Sequence, residues 1–177
     1  MGGYKMDDTR KMLLDMMKSY KNDLELIVCN CAYKLKDYSE PLTANQAWEK
    51  LLSEHGADEF IDILVDVSDA DDVNMIPELL DNDIDALIDK GYMEYFDLYD
   101  YFADNALDMD FTIGSDGKFK SGTITLVCGG PGIWIDTKGS GYIVGSWGGT
   151  EESIPLSSNL AATIDEYLEE TYKNIKG

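Results

Sequence analysis

A chain of 177 residues, 44% of them hydrophobic, is long enough to bury a core and too apolar to be disordered. Its 35 acidic residues against 14 lysines and arginines leave a formal net charge of -21, a field that repels nucleic acid and anionic membrane and attracts basic surfaces. Direct DNA binding and membrane association are therefore not expected, and no apolar run approaches a membrane span or a signal-peptide core, so the sequence predicts a soluble, cytoplasmic protein.

Asp7 or Thr9 fits the N-cap of a first helix on which Met12, Leu13, Met16, Met17 and Tyr20 recur at helical spacing. Leu24, Ile27, Val28, Cys31 and Leu35 continue that period, as one long helix or two joined near Asn22. Thr43 caps a short second helix that buries Trp48, Leu51 and Leu52 and stops at Gly56. In ADEFIDILVDVSD, Phe60, Ile61, Leu64 and Val65 share one helical face, and Asp58, Asp62, Asp66 and Asp69 step along another. MIPELLDNDIDALIDKG again ends at a glycine, Gly91, with Ile84, Leu87 and Ile88 on the apolar side and Asp81, Asp85 and Asp89 four apart on a second face. The segment after Gly91 reads as a further helix, with Asp97, Asp100, Asp104 and Asp108 in a stripe and Tyr95, Tyr99, Phe102 and Ala106 toward the core.

From about Met109 the composition turns to β-branched and aromatic residues punctuated by Asp116-Gly117, Gly129-Gly130-Pro131-Gly132 and Gly139-Ser140-Gly141. These are turn signals between strands near 109–113, 118–128, 132–137 and 141–147, a four-stranded antiparallel meander. Ser157 or Ser158 caps a last helix with Leu160, Ile164, Leu168 and Ile175 on its apolar side, which packs on one face of the sheet. The predicted class is α+β: residues 1–108 helical and strongly acidic from 58, residues 109–177 a sheet with its C-terminal helix, as two parts or one integrated domain.

The charge is concentrated in the middle of the chain. Residues 58–110 hold eighteen acids, fifteen of them aspartate, against the single base Lys90. Like charges four apart destabilise a helix by about 0.2–0.5 kcal/mol per pair, and aspartate is a poor helix former, so the pattern has a local cost. A mixed-sign surface gives solubility without it. Carboxylates on successive helical turns lie about 5–6 Å apart, of the same order as phosphates along a nucleic-acid strand. The aspartates 62, 66, 69, 81, 85, 89, 97, 100, 104 and 108 are therefore the candidate partner-binding set, a negative surface suited to a basic nucleic-acid groove. A generic solvated acidic face is the bland alternative.

Chemistry-bearing motifs are weak by comparison. DNDIDALIDKGY begins like a calcium loop but has Ala86 where the turn needs glycine and Tyr92 where the bidentate glutamate belongs. His55, the one histidine, has no partner motif and suits a helix C-terminus, and Cys29, Cys31 and Cys128 lack zinc or disulfide spacing, the first two on a predicted helix. CGGPG lacks the Walker lysine and joins strand to strand. No catalytic residue, metal or cofactor is assigned. Trp134 and Trp147 fit either a sheet core or, on an outward face, partner anchors.

TITLVCGGPGIWIDTKGSGYIVGSWGG, followed by a polar stretch and IDEYLEETY, resembles the C-terminal module of small acidic phage and mobile-element proteins, some of them similar to type II-A anti-CRISPR inhibitors. The resemblance covers about residues 109–174. It implies a non-enzymatic inhibitor acting inside a bacterial host cell, with the Cas9–guide RNA complex or another basic nucleic-acid-binding protein as partner. The other readings are an antirestriction DNA mimic, a carboxylate- and Mg²⁺-dependent nuclease acting on guide RNA or DNA, and an acidic interaction module.

Overall fold

An unbroken helical period with no glycine or proline after Gly3 carries α1 from Gly3 to Val28. The computed structural model describes residues 3–29, 31–35, 38, 40–68 and 84–177. The chain divides into two compact units, one of Met1–Val28 with Leu98–Gly177, the other of Cys29–Asp97.

In the first unit α1 is one helix rather than two, starting ahead of both expected caps and ending before Cys31 and Leu35. The sheet has five strands where four are predicted: β3 (Asp108–Ile113), β4 (Phe119–Val127), β5 (Gly132–Asp136), β6 (Tyr142–Trp147) and β7 (Thr150–Pro155), each antiparallel to the next. Gly148 and Gly149, at φ 58° and 84°, form the two-residue turn between Trp147 and its partner Thr150. Only glycine takes two successive positive φ angles there without steric cost. The row Ile124, Ile135, Ile143, Ile154 runs straight across β4 to β7, and the first three of these are fully buried. Residues two along each strand share that face: Gly122 lies under Leu168, and Gly145 lies under Leu13 and Met17.

α1 and the last helix, α5 (Ser158–Lys176), therefore cover the same side of the sheet, α1 over β6 and β7 and α5 over β4. Ser157 is the N-cap of α5, its hydroxyl accepting from the Leu160 N–H at 3.3 Å. Leu160, Ile164 and Leu168 are fully buried, whereas Ile175, assigned to the same face, is 72% exposed in the last turn. The short helix α4 (Leu98–Asn105) buries Leu98, Tyr101 and Phe102, with Tyr167 of α5 4.9 Å from the Phe102 ring.

The second unit is built around Leu35, Leu42, Ala47, Trp48, Leu51, Ile63, Leu87 and Met93. Thr43 forms a capping box: its N–H donates to Gln46 Oε1 at 2.8 Å, and its hydroxyl accepts from the Gln46 N–H at 3.4 Å. The helix it starts, α2 (Ala44–Ser68), is broken inside at Gly56, whose φ of 77° and ψ of 168° are non-helical, and resumes beyond it. Leu52 is 43% exposed and not part of the core. α3 (Ile84–Asp89) ends as the glycine predicts, in a Schellman motif: Tyr92 N–H donates to Leu87 C=O and Gly91 N–H to Ile88 C=O, both at 2.9 Å, with Gly91 at φ 78°. The chain then turns extended where a helix is predicted. β2 (Glu94–Tyr95) pairs antiparallel with β1 (Tyr33–Lys34), Tyr33 opposite Tyr95 and Lys34 opposite Glu94. Neither Cys29 nor Cys31 is helical: α1 ends at Val28, and the Cys31 thiol lies 3.4 Å from the Cys29 carbonyl.

Candidate partner-binding surface

The predicted acidic set distributes over both units. Asp62 and Asp66 lie in the second half of α2, their side chains outside the described residues, and Asp69 and Asp81 fall outside them altogether. Asp85 and Asp89 sit one turn apart on α3, both exposed, with Leu87 between them fully buried. That part of the pattern is reproduced: carboxylates outward and leucine inward.

The second stripe is not. Asp97 precedes α4 and closes the second unit, Asp100 and Asp104 lie on α4, and Asp108 is the first residue of β3. Asp97, Asp104 and Asp108 are exposed and Asp100 is half-buried, but one helix does not carry them. α4 begins only at Leu98, after Asp97, and ends at Asn105, and Asp108 opens β3 opposite Thr125 of β4, a pairing of which helical spacing holds no trace.

That same pairing organises a feature that sequence reasoning missed. The Tyr33 and Tyr95 rings face each other across the ribbon with centroids 5.6 Å apart, and the Tyr95 hydroxyl donates to Asp85 Oδ1 at 3.2 Å. Tyr95, which a helical reading places on the core side, is 47% exposed. Beside the ring pair, Lys34 Nζ lies 3.3 Å from Glu94 Oε2, an exposed ion pair of little energetic weight. The hydrogen bond to Asp85, followed by that carboxylate's charge, raises the Tyr95 pKa above the ordinary 10.0. Burial first, then the charges of Cys31 and Asp85, raises that of Tyr33. A rigid aromatic platform edged by a carboxylate suits a guanidinium, which stacks on the ring and pairs with the acid.

Asp85→Asn is accordingly expected to lower the pH at which Tyr95 ionises toward the ordinary value, read by NMR of tyrosine labelled at Cζ. A raised folded-state pKa means that stability from this bond is complete below pH 10.0 and is lost as pH rises through the folded value. An unchanged Tyr95 titration in the variant means that the bond is not formed in solution.

Other features with chemical possibilities are unremarkable in geometry. His55 is half-buried beside the break at Gly56, and the three cysteines are free and exposed. Among the described residues no three His, Cys, Asp or Glu side chains are grouped to hold a metal ion, and no helix is long and apolar enough to cross a membrane. A cleft of about 510 Å³ in the second unit is lined by Lys34, Leu35, Tyr38, Tyr92 and Glu94 among others, with Lys50 Nζ 3.5 Å from the centre of the Tyr38 ring. No family model, curated protein or solved structure matches this chain.

Proposed function

We propose that this protein is a non-enzymatic binding protein that occupies the basic nucleic-acid groove of a bacterial defence nuclease, with the Cas9–guide RNA complex as the first partner to test. The observation that carries the reading is the charge placement. Eighteen acids face one lysine over residues 58–110, and of the aspartate set Asp85, Asp89, Asp97, Asp104 and Asp108 are exposed and Asp100 is half-buried. Such a surface, held on short side chains close to folded backbone, competes for the same lysines and arginines that neutralise phosphates. The C-terminal resemblance directs the choice of nuclease. The acidic surface by itself requires only a basic partner.

The test is a titration of the protein into a Cas9–guide RNA cleavage reaction at low and moderate salt, with the guide RNA run afterwards on a denaturing gel. Stoichiometric inhibition that weakens as salt rises, with intact guide, is the expected result, because charge-dominated contacts are screened. A cut guide makes the protein a nuclease instead. Absence of inhibition across several Cas9 orthologues removes Cas9 as the partner, and a panel including restriction enzymes then tests the antirestriction alternative.

A further inference from the structure

Helices α1 and α5 cover one side of the sheet, and the strand register defines what lies on the other. One row there reads Asp108, Thr125, Trp134, Val144, Ser153 across all five strands, and the adjacent row reads Asp110, Thr123, Asp136, Tyr142, Pro155. Glu151, opposite Ser146, belongs to the same side. Asp108, Asp110, Tyr142 and Glu151 are exposed, and Trp134 and Asp136 are half-buried. No lysine or arginine occupies any position of these rows. The one arginine of the chain, Arg10 on α1, pairs at 2.6 Å with Glu152, which points to the helix-covered side.

We infer that this open sheet face, centred on Trp134, is a docking surface for an arginine-bearing segment of a basic protein partner. Four carboxylates with no base among the rows favour a cationic occupant over a phosphate backbone; one oxygen of Asp136 accepts from the Lys138 N–H at 2.8 Å and one of Asp108 from the Met109 N–H at 2.9 Å, which leaves the second oxygen of each for a guanidinium. Trp134 supplies the anchor. Asp136 lies two residues along the same strand on the same face, about 7 Å away, and Asp108 and Asp110 stand two strands over, at about 5 Å per strand. A guanidinium stacked on the indole thus finds carboxylates within reach of its edge, and its planar fork suits both contacts better than a lysine ammonium does. The inference deepens the reading of a basic partner given above and rests on it. The face is distinct from the Tyr33–Tyr95 platform, which belongs to the other unit.

The experiment is an NMR titration of the full chain with a capped arginine–glycine hexapeptide, its lysine–glycine counterpart and a single-stranded oligonucleotide, at low salt. Expected are saturable shifts at the Trp134 indole N–H and at the Thr123, Thr125 and Val144 amides, with arginine several-fold tighter than lysine and no response to the oligonucleotide. Trp134→Ala should weaken the arginine peptide by about fivefold, and Trp134→Phe should restore most of the loss. Asp110→Lys, at an exposed edge position, should weaken it by roughly tenfold and leave the thermal melt unchanged. Peptide shifts confined to the helical residues overturn the sheet-face assignment but leave the acidic-partner reading standing. Absence of response to either cationic peptide overturns both, and oligonucleotide shifts centred on Trp134 make the face a nucleic-acid surface.

Discussion

Gly145→Ala is expected to lower the stability of the first unit by about 1–3 kcal/mol, the usual cost of forcing an extra carbon into a filled core. Gly145 sits in the middle of β6, on the face that α1 covers. A Cβ there would stand 2.6 Å from Met17 Sδ and 2.8 Å from Leu13 Cδ1. Both of those side chains are fully buried, so neither has open space to move into. The glycine is needed for room, since no left-handed backbone angle is involved. Combining Gly145→Ala with Met17→Ala should cost less than the sum of the two single changes, because the truncated methionine vacates the volume that the new methyl needs. Urea unfolding followed by tryptophan fluorescence measures all three variants. Additive losses would mean that α1 does not seat on β6 through this contact.

The reason α1 rests so closely on the sheet was only partly legible. Strands β3 to β6 announce themselves through β-branched alternation between glycine turns, and the last helix through its cap and its apolar period. β7 does not, because TEESIP has two glutamates, a serine and a proline where a strand ordinarily has branched or aromatic residues. Those residues suit an edge strand, whose outer side is unpaired. The one signal for it was the Gly148-Gly149 pair, a two-residue hairpin turn with a strand owed on its far side. The missed ribbon is a harder case. Cys31 and Leu35 continue the helical period of α1, and Tyr95 begins that of α4, yet Tyr33 pairs with both Leu42 and Tyr95. Pairing between segments so distant in the chain overrides local spacing, and the pairing of Asp108 with Thr125 likewise ends the stripe that begins at Asp97, which spans a loop, a helix and a strand. Trp134 illustrates the remaining limit: the sequence fits it to either face of β5, and only the register says which neighbours share its side.

On the proposed function, reversing Asp85 and Asp89 to lysine is expected to weaken inhibition of Cas9–guide RNA cleavage more than reversing Asp104 and Asp108. The two pairs lie on different units, and the units differ in charge. Residues 29–97 hold 18 acids against 4 bases, whereas the rest of the chain holds 17 against 10. A basic groove responding to net field is drawn first to the second unit, and a lysine pair placed there adds repulsion as well as removing attraction. The expected loss is roughly a hundredfold in affinity, equivalent to about 2.7 kcal/mol, and it should shrink as salt rises. Both pairs are exposed, so circular dichroism and melting should change little. Asp85→Asn separates the two roles of that residue: asparagine keeps an acceptor for the Tyr95 hydroxyl and removes the charge, so a substantial loss in this variant assigns the effect to electrostatics and not to the tyrosine platform. Equal losses from both reversed pairs would spread the interface over the two units. A loss confined to Asp104 and Asp108 would move it to the first unit, where Asp108 already borders the open sheet face around Trp134.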